Sequence, residues 1–270
     1  MKILLTGDRG YIGTVLTSEL LNKGYEVVGL DSGFFEKNLL KPVNFSYTTI
    51  TKDIRDISKH DLQGVEGIIH LAGLSNDPLG EFSPKLTEDI NYSGTLLLAK
   101  LAQNNGISRF VYASSQSMYG VSNTDAELDE DDSEKNPVTA YAIAKWNAEQ
   151  KLHEMTSDDF VVTSFRPSTV FGASPRLRSD IVFNNLVACA YTTGKIEIMS
   201  DGTPWRPVVH IKDVCSAFIS GIEAPSNIVS GRAFNVGILN GNYTVKEIAE
   251  AAQKSVPGSE LIFTGEHTDP

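Results

Sequence analysis

The stretch from Met1 to Asp31 constrains this chain more than any other. Lys2 to Thr6 is short, apolar and closed by Gly7, the pattern of a buried parallel strand. The turn that follows is Gly7-Asp8-Arg9-Gly10-Tyr11-Ile12-Gly13. Its glycines let the chain turn tightly, let the backbone approach a pyrophosphate, and let a helix pack close to the strand. A phosphate would sit at that helix's N-terminus, where unpaired N–H groups and the helix dipole favour negative charge. Ile12, Val15, Leu16 and Leu20 recur at helical spacing, Gly24 takes the left-handed cap position, and Glu26 to Leu30 reads as the next strand, ending in Asp31. Strand, glycine turn, helix, strand and a carboxylate about 20 residues on make a dinucleotide-binding opening. Asp31 should accept hydrogen bonds from a ribose 2′- and 3′-hydroxyl and repel a 2′-phosphate, which favours NAD over NADP. Arg9 argues mildly the other way, as either a solvated loop arginine or a phosphate contact.

The remainder continues the alternation. Phe45 to Ile50 reads as a third strand, followed by Asp53-Ile54-Arg55-Asp56, and Glu66 to Ala72 as a fourth, ending near the edge where open α/β sheets bind ligands. Ser83-Pro84 opens a long helical pattern through Leu86, Ile90, Leu97, Leu98 and Leu101. Phe110 to Ala113 is a fifth strand, a helix carrying Tyr141, Lys145 and Glu149 begins after Pro137, and Phe160 to Phe165 is a further buried strand. This order calls for an α/β fold, a Rossmann-like doubly wound parallel sheet over residues 1–172. From Arg176 onward the pattern loosens: a helix from Asp180 to Thr192, a turn at Asp201 to Pro204, an apolar helix from Asp213, and a capping box at Thr244 to Glu247 that starts a last helix. Residues 173–270 are therefore expected to form a smaller substrate-binding lobe, interleaved with the sheet.

Composition narrows the functions. A chain of 270 residues with a formal net charge of −11 disfavours a nucleic-acid partner, and a diphosphate-bearing ligand would need local cations, for which Arg176, Arg178 and Arg206 are the candidates. No apolar run suits a bilayer, and Met1 leads straight into the first strand, which argues against a signal peptide. Only Cys189 and Cys215 are present, so a reducing cytoplasm is the expected compartment. The five histidines show no metal-ligand spacing, and no metal is expected. Glu127 to Glu134 holds six acidic residues and reads as a solvated loop.

Tyr141 and Lys145 lie four apart, so both emerge on one helix face, about 5–6 Å apart at Cβ. A phenol is a poor base at neutral pH, and a neighbouring ammonium favours the phenolate. Ser115, after the fifth strand, could donate to the same substrate oxygen. Such a triad removes a hydroxyl proton while hydride leaves the carbon for nicotinamide, or runs the reverse.

At this point the chain resembles the extended short-chain dehydrogenases/reductases, in the nucleotide-sugar epimerase/dehydratase branch that includes UDP-glucose 4-epimerase. The motifs are TGDRGYIG at Thr6 to Gly13, DIRD at Asp53 to Asp56, HLAG at His70 to Gly73, NYSGT at Asn91 to Thr95 and SSQSMYG at Ser114 to Gly120. They continue with YAIAK at Tyr141 to Lys145, RPSTVFG at Arg166 to Gly172, WRPVVHIKD at Trp205 to Asp213 and FNVG at Phe234 to Gly237. The resemblance implies that Gly7, Arg9, Gly10, Tyr11, Ile12, Gly13, Asp31, Leu71, Ala72, Gly73 and Pro167 line an NAD site. It implies that Asp53 and Ile54 contact the adenine and that Lys145 holds the nicotinamide ribose as well as Tyr141. Arg206 matches the arginine that holds the sugar-nucleotide diphosphate, and Asn76, Ser115, Gln116, Arg176 and Arg178 are the other substrate candidates. Homodimerisation through the helices around Leu96 and Lys145 is usual in such proteins.

The chain departs from that pattern in several places. Sugar 4,6-dehydratases carry Asp-Glu directly after the catalytic Ser/Thr, whereas Gln116 and Ser117 stand here, so dehydration is not expected. Thr169 replaces a usual asparagine, Pro207 a usual aspartate, and Asn76 to Gly80 a usual loop, all of which bear on the sugar and nucleotide. Family members usually continue beyond the equivalent of Pro270, so a shortened chain or a trimmed substrate lobe is expected. The reaction expected is NAD-dependent epimerisation at C4 through a 4-keto sugar. The alternative is a 4-ketoreductase using NADPH or NADH, which Arg9 favours and Asp31 opposes. A cofactor-binding regulator without chemistry fits poorly with intact Ser115, Tyr141 and Lys145.

Overall fold

Apolar runs of four to seven residues, each followed by an amphipathic one, suit strands that are buried on both faces and helices that cover them. The computed structural model describes residues 1–43, 45–75, 77–120 and 127–266. Its first half comprises β1 (Lys2–Thr6), α1 (Tyr11–Asn22), β2 (Glu26–Asp31), β3 (Thr48–Thr51), β4 (Gly67–His70), α2 (Asp77–Phe82), α3 (Pro84–Glu88), α4 (Thr95–Asn104), β5 (Arg109–Ala113) and α5 (Ala140–Glu154). There follow β6 (Val161–Pro167), β7 (Thr169–Phe171), α6 (Val182–Thr193), β8 (Lys195–Ser200), β9 (Trp205–His210), α7 (Ile211–Glu223), α8 (Ser226–Val229), β10 (Arg232–Val236), β11 (Asn242–Thr244), α9 (Val245–Ser255) and β12 (Glu260–Glu266).

Seven strands form one sheet in the order β10-β6-β5-β4-β1-β2-β3, every neighbouring pair parallel. The order reverses between β1 and β4, and such a switch point opens a crevice at the carboxyl ends of the strands. Alternate side chains divide the core. Ile3, Leu5 and Val111 face α1 and α7 with Leu16, Leu20, Val214, Phe218 and Ile222, whereas Leu4, Phe110 and Tyr112 face α4 and α5 with Leu98, Ala102, Ala148 and Leu152. Each fully buried Leu or Ile contributes roughly 1.5–3 kcal/mol, so both faces hold the sheet rigid beneath the crevice. A third cluster, with Leu186, Ile196, Ile198, Val208 and Ile248, unites α6, β8, β9 and α9 in the C-terminal part.

The doubly wound sheet agrees with the sequence reading, with local differences. The third strand starts at Thr48 rather than Phe45, and Tyr47, just before it, donates its hydroxyl to Asp8. The helical pattern after Ser83 is interrupted: Asp89–Gly94 forms a π-helical turn between α3 and α4, which turns Asn91 inward. Ser83 makes no side-chain cap bond. The seventh strand, β10, enters the sheet from the C-terminal part, beside β6. In addition, β8 pairs in parallel with β12 and β9 pairs with β7 and β11; all of these but β7 lie in the loosened pattern after Arg176. The capping box at Thr244 is present, Glu247 reaching back to the Thr244 N–H at 2.8 Å. No helix among the described residues is long and apolar enough to cross a membrane, and no three His, Cys, Asp or Glu residues among them are grouped to hold a metal.

Candidate active site

The glycine turn sits on the switch point. Gly7 takes φ 74°, a left-handed conformation, and its N–H reaches the Leu30 carbonyl at 2.8 Å. A Cβ there would stand 2.9 Å from the Ala72 nitrogen across the crevice, and one on Gly13 would overlap the Gly7 carbonyl. Gly10 caps α1 without any side-chain bond to its first N–H groups, and no acidic residue stands in the first turn. These donors and this close approach fit a cofactor pyrophosphate. Ile12 follows them on α1, and Tyr11 turns its buried side chain away, its hydroxyl donating to Gly172 O at 2.8 Å. Asp31 ends β2 half-buried and accepts from Gly33 N at 2.8 Å. Asp53 caps the short turn Ile54–Asp56 and holds Arg55, whose guanidinium keeps its carboxyl below the usual range, while Ile54 is buried in the core.

Beyond β4, a buried relay fixes Leu71 to Leu74. Leu71 N donates to Thr6 O at 3.1 Å and Ala72 N to Thr6 Oγ1 at 3.2 Å. The Thr6 hydroxyl lies 2.6 Å from His70 Nδ1, His70 Nε2 lies 2.8 Å from Thr95 Oγ1, and the Thr95 hydroxyl donates to Asn91 O at 2.7 Å. With the Thr95 proton committed to Asn91, the Nε2–H tautomer satisfies both ring nitrogens. Burial, with the nearby Lys145 charge, pushes His70 down to about 3, so it is a neutral structural group. Asn91 closes the relay by accepting from Leu74 N and donating to Leu74 O. A Cβ on Gly73 would press on that same Asn91 amide, 2.7 Å from its oxygen. The Asn-x-x-x-Thr spacing and the inserted turn together explain how this loop is tied to the helix.

Tyr141 and Lys145 stand on α5, whose N-terminus is held by Thr139 Oγ1, accepting from Ala142 N at 3.2 Å, and by Glu81, accepting from Ala140 N at 2.6 Å. Tyr141 packs by its Cβ against Gly80. Lys145 is buried and donates from Nζ to Ala113 O, at the end of β5, at 2.8 Å, with Nζ 4.9 Å from the centre of the Tyr112 ring. Burial pushes its ammonium down to about 8, so it stays charged at neutral pH. Ser115 follows two residues after Ala113 and caps the turn Gln116–Tyr119, its hydroxyl donating to Ser117 Oγ at 3.0 Å and accepting from Ser117 N at 3.1 Å. The structure thus brings Lys145 and the Ser115 strand end together at the edge of the crevice. Pro167 lies at the same edge, at the end of β6.

The substrate candidates are dispersed. Arg206 lies half-buried on β9, where desolvation lowers its pKa, with Nη1 on Trp205 O at 3.0 Å. Arg178 pairs with Asp180 and reaches Ser75 O at 3.1 Å, bridging the loop after β4 to the C-terminal part. Arg176 bonds Leu177 O at 2.7 Å and lies 4.5 Å from the Phe35 ring centre. Asn76 lies outside the described residues.

Sequence reasoning overlooked three groups. Glu149, four residues after Lys145, is buried against Arg166 of β6 at 2.5 Å, and Arg166 also donates to Tyr119 Oη and Glu130 O. The acidic run is consequently not merely a solvated loop: Glu130 accepts from Asn235 N at 2.6 Å and docks it on the sheet. The helical spacing of Tyr141, Lys145 and Glu149 was the available signal for the first group.

Asp8 is the third. It is wholly buried beneath the glycine turn, where Gly29 leaves room for its carboxyl and Tyr47 donates to Oδ2 at 2.6 Å. Burial pushes it up from 3.8 to about 6, opposed by the Tyr47 bond, helped by Asp31 and opposed again by Arg9. A raised folded pKa means the native state holds the proton more tightly, so stability is lost as pH rises from about 4 to about 6. Asp8→Asn removes that loss. Its stability relative to wild type should climb by about 1–3 kcal/mol between pH 4 and pH 7 in urea unfolding; a difference that stays flat with pH would contradict the assignment.

The chain matches the model of the NAD dependent epimerase/dehydratase family over residues 3–237. It is 30% identical over 289 aligned positions to a UDP-glucose 4-epimerase of Bacillus subtilis, covering 97% of this chain and 84% of that one. To the UDP-glucose 4-epimerase of Mycolicibacterium smegmatis it is 31% identical over 251 positions, covering 88% and 77%. The solved structure of MoeE5 in complex with UDP-glucose and NAD superposes with a TM-score of 0.82 at 25% identity, over 99% of this chain and 86% of that one. The UDP-glucose 4-epimerase of Thermotoga maritima shares the fold, with a TM-score of 0.85 at 22% identity over 99% and 87%. With the glycine turn, the Asp31 strand end and the Ser115, Tyr141 and Lys145 positions in place, this chain belongs to the NAD-dependent epimerase/dehydratase family of extended short-chain dehydrogenases/reductases, and its cofactor is NAD.

Proposed function

We propose that this protein is a nucleotide-sugar 4-epimerase, acting on a nucleoside-diphosphate hexose such as those handled by its relatives. The observation that carries this reading is the anchoring of Lys145 on Ala113 O, which places a buried ammonium one turn from Tyr141 and two residues from Ser115. Bound NAD supplies the hydride acceptor and donor of the reaction. Tyr141 takes the proton of the C4 hydroxyl as that carbon is oxidised, and its phenolate is favoured by the Lys145 charge. Ser115 donates to the same oxygen and holds it in line. After the keto sugar turns its other face, Tyr141 returns the proton to the ketone oxygen. The ammonium keeps two N–H donors beyond the one on Ala113 O, suited to ribose hydroxyls. Arg206, half-buried on β9, is the residue proposed to meet the diphosphate, and Asn76, Gln116, Arg176 and Arg178 are proposed as further substrate contacts. Residues 1–172 supply the cofactor side of this site and 173–270 mainly the substrate side.

The test is incubation of the purified protein with UDP-glucose and, separately, UDP-N-acetylglucosamine, without added cofactor, followed by separation of the C4 epimers. Epimer formation from protein-bound NAD supports the reading. Consumption of a 4-keto sugar only with added NADPH or NADH would replace it with the ketoreductase. A second copy of the chain is proposed to pack on the α4 and α5 face, where Leu97 and Ile143 are exposed. A monomer by sedimentation would remove that proposal.

A further inference from the structure

The adenosine end of the crevice holds an arginine whose charge is already answered from within the chain. Arg9 leaves the glycine turn and lies along the ends of β2 and β3: Nη2 donates to Thr51 Oγ1 at 3.0 Å, and Nη1 pairs with Glu36 Oε2 at 3.2 Å. Its side chain is only 17% exposed, which a solvated loop arginine would not be. A Cβ on Gly33 would lie 3.3 Å from the same Nη1, so the guanidinium is seated against the turn that Asp31 begins. That turn is itself ordered. Gly33 N donates to Asp31 Oδ1, and Glu36 N donates to Gly33 O at 3.1 Å, which brings the Glu36 carboxylate back over Arg9.

Resting on NAD as the cofactor, we propose that Arg9 and Thr51 form an anion subsite beside the ribose-binding Asp31, and that Glu36 fills it as an internal anion. Glu36 is then a second determinant of cofactor choice. Asp31 repels a 2′-phosphate directly, whereas Glu36 occupies the arginine beside it that a 2′-phosphate would use. The three side chains Asp31, Glu36 and Arg9 sum to one negative charge, and a 2′-phosphate would add nearly two more. Removing the Glu36 charge leaves the cluster neutral and Arg9 available. Glu36 itself is 65% exposed on a surface turn, so its substitution does not disturb the core.

The test is calorimetric titration of the full chain, stripped of nucleotide, with NAD and with NADP at low ionic strength. In Glu36→Gln the ratio of NAD to NADP affinity should fall about tenfold, carried by tighter NADP, the scale of one charge-assisted contact to phosphate. The gain should vanish in the Arg9→Ala/Glu36→Gln double variant and weaken with added salt. An unchanged ratio, a ratio that falls only because NAD binds more weakly, or a gain that survives the loss of Arg9 overturns the proposal. A wild-type chain that preferred NADP would overturn the NAD reading itself, whatever Glu36 does.

Discussion

Tyr141→Phe is expected to lower sugar turnover by about 10²–10⁴-fold while the protein still folds and still carries NAD. The ring keeps its Cβ contact with Gly80, and α5 keeps its caps at Thr139 and Glu81, so only the hydroxyl is lost. The glycine turn between β1 and α1 and Asp31 at the end of β2, the residues proposed to hold the cofactor, lie on other elements than that hydroxyl. Measuring epimer formation alongside the NAD released on denaturation separates the two roles. Retained turnover at the wild-type rate would place the base elsewhere and would leave the buried ammonium of Lys145 without a catalytic reason. That ammonium is held at a cost. A pKa pushed from 10.5 down to about 8 means the folded state disfavours the charge, a cost that the proposed catalytic role of Lys145 would explain.

The largest stability loss is expected from Arg166→Met. It strands the Glu149 carboxylate, with side-chain exposure of 1%, and should cost about 3–5 kcal/mol, because breaking a buried pair leaves one uncompensated charge. Such a loss is a large part of the roughly 5–15 kcal/mol that holds an ordinary domain together. The same change releases Tyr119 and the Glu130 carbonyl, so the segment 127–134 should lose its protection from proteolysis along with the fall in urea midpoint. Replacing both partners by methionine should recover most of the stability, since two apolar side chains of similar volume remove both desolvation costs. A single-variant loss below about 1 kcal/mol would mean that the pair behaves like a hydrated surface bridge.

The two experiments probe different distances from the chemistry. Arg166 and Glu149 touch neither Ser115 nor Lys145 by any bond described above, yet they tie α5, β6 and the Gln116–Tyr119 turn into one body. Tyr141 and Lys145 inherit their positions from that body. Stability and the proposed catalysis therefore meet on α5, where one face carries first the proposed reacting residues Tyr141 and Lys145 and then the buried Glu149.

Much of this was legible from local spacing. The opening βαβ unit, the chain order of the first six sheet strands and the Tyr141–Lys145 face all follow from short apolar runs, the 3.6-residue period and glycine placement, which are properties of neighbouring residues. The short strands of the C-terminal part were harder. Lys195 to Ser200 does alternate, with Ile196 and Ile198 buried, but β12 lies some sixty residues on and pairs with it only in space. The entry of β10 beside β6 is likewise a matter of where the chain returns.

By itself the sequence determined which segments are strands and helices around the crevice, where the glycine turn lies, and which residue types are candidates for redox chemistry. Only the tertiary structure decided which charges are answered and by whom. Asp8 is buried under Gly29 and Tyr47, Glu36 meets Arg9, Glu149 meets Arg166, and Glu130 docks an acidic run that composition alone would leave in water. The physical reason is range. Backbone preference and amphipathic period act between residues a few positions apart, whereas desolvation and ion pairing depend on which distant segments the fold brings into contact.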